Sequence, residues 1–83
     1  MKKYLVDVHL PAAGKHYDAY LPNGKLIGEA TQLLVSIAES LSGGNYEGTA
    51  NSVLLNAISG EPYNRGLTVY DAGIRNSSKL ILT

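Results

Sequence analysis

Only one stretch of this chain repeats its apolar residues at the period of a helix. From Ile27 to Ser42, at about 100° per residue, Leu33, Ile37, Ala30, Leu41, Leu34, Ile27 and Ala38 fall within an arc of roughly 140°. Glu29, Gln32, Ser36, Glu39 and Ser40 lie opposite, with Val35 the one sizeable apolar residue among them. Gly43 and Gly44 come directly after, and glycine accepts the left-handed backbone that ends a helix. A lone amphipathic helix cannot bury its own face, so the chain must supply a sheet to cover it.

The flanking segments supply that sheet. Lys3 to Leu10 alternates, with Tyr4, Val6, Val8 and Leu10 on one face and Leu5, Asp7 and His9 on the other. Pro11-Ala12-Ala13-Gly14 reads as a turn, and Tyr17, Ala19 and Leu21 then alternate with His16, Asp18 and Tyr20. If Leu10 faces Lys15, Val8 meets Tyr17, Val6 meets Ala19 and Tyr4 meets Leu21, all on one face. Pro22-Asn23-Gly24 turns the chain into the helix. Beyond the glycine-rich loop from Gly43 to Asn51, Ser52 to Ile58 reads as a third strand, although the run Val53-Leu54-Leu55 leaves its inward face open. Ser59 to Pro62 turns, Tyr63 can add a short edge segment, and Leu67 to Ile74 reads as a one-turn helix capped by Thr68 with Asp71 three residues on. Lys79 to Thr83 is a last strand. The expected fold is α+β: a mixed sheet of four to five strands, first and last parallel at its centre, with the long helix across one face.

Eighty-three residues make one domain, residues 1–83, without repeats or a linker. Seven basic and seven acidic residues cancel, which removes the electrostatic footprint of a nucleic-acid binder. No apolar run approaches the ~18 residues of a membrane span, and the start lacks the pattern of a signal peptide. The expectation is a cytoplasmic protein with no direct membrane insertion. There is no cysteine, hence neither a disulfide framework nor thiolate chemistry.

The stretch Leu67-Thr68-Val69-Tyr70-Asp71-Ala72-Gly73-Ile74, then the polar turn Arg75 to Ser78 and the strand Lys79-Leu80-Ile81-Leu82, resembles the ending of ubiquitin-like β-grasp domains. The Ser59-Gly60-Glu61-Pro62-Tyr63 turn and the Leu21-Pro22-Asn23 step before the helix match the same pattern. Within that fold the chain most resembles the YukD/EsaB type, small bacterial ubiquitin-like proteins associated with type VII (WXG100) secretion systems. The resemblance implies a non-catalytic cytosolic interaction module, an accessory or regulator of such a system that docks to a protein partner, a secretion-system component or a second copy of itself. The runner-up is a generic ubiquitin-like recognition domain of a larger transporter or enzyme. A sulfur carrier or conjugated modifier would need a flexible tail ending in glycine, whereas this sequence ends Leu80-Ile81-Leu82-Thr83.

Motifs for chemistry are missing: there is no phosphate loop, no nucleophile elbow, and only two histidines. The expectation is therefore no enzyme and no cofactor. His9 opposite His16 and Asp7 opposite Asp18 bring two imidazoles and two carboxylates to one face of the hairpin, which we read as a solvated sheet surface with no metal. The candidate interaction residues are those that parity puts on the face away from the helix: Leu5, Tyr20, Leu54, Ile58 and Ile81, rimmed by Asp7, Asp18, Asn56 and Lys79. Tyr4 and Tyr17 belong to the core face, with their hydroxyls at its margin.

Overall fold

The structure, a computed structural model, describes residues 2–43, 46–48 and 51–83. Its elements in chain order are β1 (Lys3–Leu10), a single 3-10 turn (Pro11–Ala13), β2 (Lys15–Pro22), α1 (Ile27–Ser42), β3 (Leu54–Asn56) and β4 (Lys79–Leu82). The sheet runs β2-β1-β4-β3, with β1 antiparallel to β2, β4 antiparallel to β3, and β1 and β4 parallel at the centre. The hairpin register is the one the alternation requires: Tyr4 faces Leu21, Val6 Ala19, Val8 Tyr17 and Leu10 Lys15.

A parallel central pair needs something to fix its register, and the polar turn before β4 does so. Asn76 Oδ1 accepts from the Leu5 amide at 3.0 Å, the Ser77 amide donates to the Leu5 carbonyl at 2.7 Å, and the Asp7 amide donates to the Ser78 carbonyl at 2.9 Å. Leu67 to Ile74, expected as a one-turn helix, is a run of turns with a single helix-type bond, from the Ala72 amide to the Thr68 carbonyl at 2.9 Å; Thr68 caps it, Oγ1 accepting from the Asp71 amide at 3.0 Å. Its backbone also closes the start of α1. Leu26 at the N-cap has no side-chain acceptor, but its own amide donates to Glu29 Oε1 at 3.2 Å, and the Ile27 and Gly28 amides donate to the carbonyls of Leu67 and Arg65.

Tyr4, Val6, Val8, Leu10, Ala19 and Leu21 from the hairpin, Leu54 from β3, Leu80 and Leu82 from β4, and Ile27, Ala30, Leu34, Val35 and Ala38 from α1 form the core, completed by Tyr46, Val69 and Ile74. The helix is rotated from the position its period suggests. Val35, expected among the outer residues, is 5% exposed, while Leu33 and Leu41, expected inside, are 37% and 58% exposed. Ile37, expected on the apolar face, is only partly buried at the margin. The cause lies in the segment after the helix. Gly43 takes the left-handed turn (φ 61°), and Tyr46 beyond it is buried, its amide bound to Ser42 Oγ at 3.0 Å. At Gly48 the backbone presses on Val35 so closely that a Cβ there would overlap Val35 Cγ1. Gly44, read with Gly43 as the stop, lies outside the described residues.

The third strand also departs from expectation. It is three residues long, and Leu54 points to the helix side at 2% exposure, paired with Leu82, so it belongs to the core and not to the outer face. The run Val53-Leu54-Leu55 offers an apolar side chain in either phase. Its phase is fixed by the chain's return, in which the Asn56 amide donates to the Glu61 carbonyl and the Tyr63 amide to the Leu54 carbonyl. Ile58 is not in a strand at all. Asn56 Oδ1 accepts from the amides of Ile58 and Ser59, an Asx-type turn that ends the strand and leaves Ile58 88% exposed at its tip.

Candidate docking face

The face of the sheet turned away from α1 can be laid out row by row from the registers. At one end Tyr20 on β2 faces Leu5 on β1. In the middle Asp18 faces Asp7, and Asp7 neighbours Lys79 on β4. In the next row His16 faces His9, His9 neighbours Ile81, and Ile81 faces Leu55 on β3. Of the residues that sequence parity assigns to this face, the structure brings Leu5, Tyr20 and Ile81 onto it, puts Leu54 beneath it, and leaves Ile58 beyond its edge.

The apolar residues do not make one contiguous patch. Leu5 and Tyr20, 38% and 59% exposed, are separated from Ile81 and Leu55 by the charged row Asp18-Asp7-Lys79. These three charges, expected as a rim, instead cross the centre, because strand parity decides the face whereas the β1–β4 register decides which residues are neighbours. Asn56, also expected in the rim, is spent on its own turn. Leu55 is the residue that sequence reasoning misses; only the pairing of Glu61 to Tyr63 with β3 reveals its phase.

A groove of about 280 Å³ runs along this middle row, lined by Leu5, Val6, Asp7, Asp18, Ser77 and Lys79. Two carboxylates facing each other on adjacent strands repel; Lys79 is Asp7's register neighbour on β4, and His16 Nδ1 lies 3.4 Å from Asp7 Oδ1. The His9 and His16 rings stack in parallel with centroids 4.2 Å apart, which aims their nitrogen lone pairs side by side and not at a common point. Among the described residues no group of three or more His, Cys, Asp or Glu side chains is placed to hold a metal ion. Lys3 Nζ lies 5.4 Å from the centroid of the Tyr20 ring, a cation–π contact at the near end. This face thus offers apolar contact at both ends and an acidic pair between them.

On the opposite side Tyr17 Oη donates to the Leu34 carbonyl at 2.8 Å, and burial, reinforced by nearby Tyr46, pushes the Tyr17 phenol far above the usual tyrosine range. It serves as a packing residue with a bonded tip, as its place in the alternation implies.

No protein-family model matches this sequence, and no curated protein matches it. Solved structures do. The whole chain superposes on 21% of a chain from the MycP5-free ESX-5 inner membrane complex, State II, at 15% identity and a TM-score of 0.81. It also superposes over its whole length on 94% of the EccD5 ubiquitin-like domain from Mycobacterium xenopi, at 13% identity and a TM-score of 0.73. Over 98% of its length it matches 91% of Caldiarchaeum subterraneum ubiquitin, at 10% identity and a TM-score of 0.74. Among the described residues no helix is long and apolar enough to cross a membrane. The mixed four-stranded sheet with one helix across it is the ubiquitin-like β-grasp fold.

Proposed function

We propose that this chain is a non-catalytic docking module of a type VII secretion apparatus, binding a protein partner through the outer face of its sheet. The observation that carries the reading is the order of that face: Tyr20 and Leu5, then Asp18 and Asp7 with Lys79, then Ile81 and Leu55. A complementary partner carries a Lys or Arg that sits between the two carboxylates, flanked by apolar side chains that cover Tyr20 and Ile81. Burying such a charge-assisted pair inside an apolar frame gives both affinity and orientation. The secretion setting is supported by the likeness to ubiquitin-like domains of that apparatus, and the YukD/EsaB assignment, with its cytoplasmic location, is part of the same proposal.

A second reading is favoured by one observation. The ESX-5 chain on which this one superposes is matched over only 21% of its length, so the same fold also serves as one part of a much larger polypeptide. In that reading the module recognises its partner in cis or beside a membrane-embedded assembly, through the same face.

The test is co-purification with the ATPase and a WXG100 protein of a type VII secretion system. Tyr20→Asp combined with Ile81→Asp should abolish capture while the circular dichroism spectrum stays native, because neither side chain seals the helix against the sheet. Asp7→Asn with Asp18→Asn should weaken capture and flatten its dependence on salt. A folded Tyr20→Asp, Ile81→Asp variant that still captures the partner at full strength would refute the assignment of the face.

A further inference from the structure

The two edges of the sheet are treated differently. Beyond β3 the chain folds back, bridging Leu55 to Pro62, so the edge is paired and carries a proline. Beyond β2 no described residue pairs. In β1 the Asp7 amide and the Leu5 carbonyl point to β4, so the even-numbered residues of β1 point to β2, where they meet the odd-numbered Lys15, Tyr17, Ala19 and Leu21. The amides and carbonyls of His16, Asp18 and Tyr20 therefore point outward along an uninterrupted eight-residue strand. The helix flank is open on the same side. Gly28 and Val35 face the side closed by Arg65 and Gly48, and the opposite flank, toward Tyr17, carries Leu33, Ile37 and Leu41, spaced four apart with the first and last exposed.

We propose that a second copy of this chain occupies this side, pairing β2 with β2 antiparallel about a two-fold axis to give one eight-stranded sheet, while the two Leu33–Leu41 stripes cover one another on the helix face. The strand is self-complementary in one register. Outward-pointing residues must pair with outward-pointing residues, so the axis passes a residue from His16 to Tyr20. At His16 only Lys15 to Tyr17 overlap, and at Tyr20 Asp18 falls opposite Pro22 of the partner subunit, which has no amide to donate. That leaves Tyr17, Asp18 and Ala19. Passing Asp18 sets one carboxylate against its copy, and passing Ala19 sets Asp18 against Tyr20 of the partner subunit. Passing Tyr17 sets each His16 opposite Asp18 of the partner subunit, a hydrogen-bonding pair made twice. The strand edge and the helix stripe lie off the outer face, and the side chains of His16 and Asp18 belong to the β2 margin of that face; the inference does not rest on the docking function.

Light scattering across a concentration series should show the mass doubling. Leu33→Glu with Leu41→Glu, both at exposed positions, should hold the chain at monomer mass with native circular dichroism. The chain has no cysteine, so His16→Cys with Asp18→Cys gives a clean cross-link test: oxidation should yield a covalent dimer, and either single substitution should not. The double-cysteine result stands even if the glutamates unfold the chain. A wild-type chain that stays monomeric at millimolar concentration would overturn the proposal. So would a dimer that survives the glutamate pair in folded form, or one that is lost on Ile81→Asp, which lies two strands away.

Discussion

The two margins of this small domain are finished in opposite ways. On the β3 side the segment after the helix lays Tyr46 and Gly48 against α1, Arg65 crosses Gly28 and donates to the Ser52 carbonyl at 3.2 Å, and Glu61 to Tyr63 pair with the strand edge. On the β2 side an eight-residue edge and two exposed apolar helix residues, Leu33 and Leu41, have no such cover among the described residues. The lesson is that the hydrophobic period of α1 describes how much apolar surface the helix carries, whereas the connections decide which part of it is buried.

That contrast can be broken most forcefully within the helix. Leu34→Ala should cost about 2–5 kcal/mol, because the side chain is wholly buried under the sheet. Leu33→Ala, one residue away, should change stability by no more than ~0.5 kcal/mol in the same urea titration. Equal losses at the two positions would put the helix back in the orientation suggested by its period alone. A smaller effect sharpens the closed side. Gly48→Ala forces a methyl group into Val35 and should cost about 1–3 kcal/mol, whereas Gly24→Ala, with no atom within 4 Å of the added carbon, should be close to neutral.

Tyr17 joins the open edge to the helix and predicts the smallest change. Tyr17→Phe removes the bond to the Leu34 carbonyl and should cost about 0.5–1.5 kcal/mol at neutral pH. The folded state holds this phenol protonated well past the usual tyrosine pKa, whereas the unfolded chain ionises near ~10. Its contribution is therefore complete below that pH and is lost as pH rises through the folded-state value. The wild type should lose stability more steeply than the Phe variant above pH ~10; parallel profiles would mean that Tyr17 is not buried as described.

Much of this is legible in the residues. Strict alternation in Lys3–Leu10 and Lys15–Pro22 determines the hairpin register, because it admits one arrangement, and a single helical period with a glycine stop determines where the helix lies, though not which flank of it is buried. The hidden parts depend on contacts between distant segments. Val53-Leu54-Leu55 has no phase of its own, so parity alone puts Leu54 on the wrong face and passes over Leu55. Asp7 and Lys79 each have an evident face, but their adjacency is created by a turn whose Asn76 lies 71 residues from Leu5, and with it the division of the outer face into two apolar ends and a charged middle.

Amide hydrogen exchange, read residue by residue, tests the contrast between the two margins most directly. In dilute solution the outward amides of His16, Asp18 and Tyr20 should exchange orders of magnitude faster than those of Tyr17, Ala19 and Leu21, while Asn56 and Tyr63 on the opposite margin stay protected. Raising the concentration should then slow His16 and Asp18 selectively. Uniform protection along β2 in dilute solution, or rapid exchange at both Asn56 and Tyr63, would contradict the account.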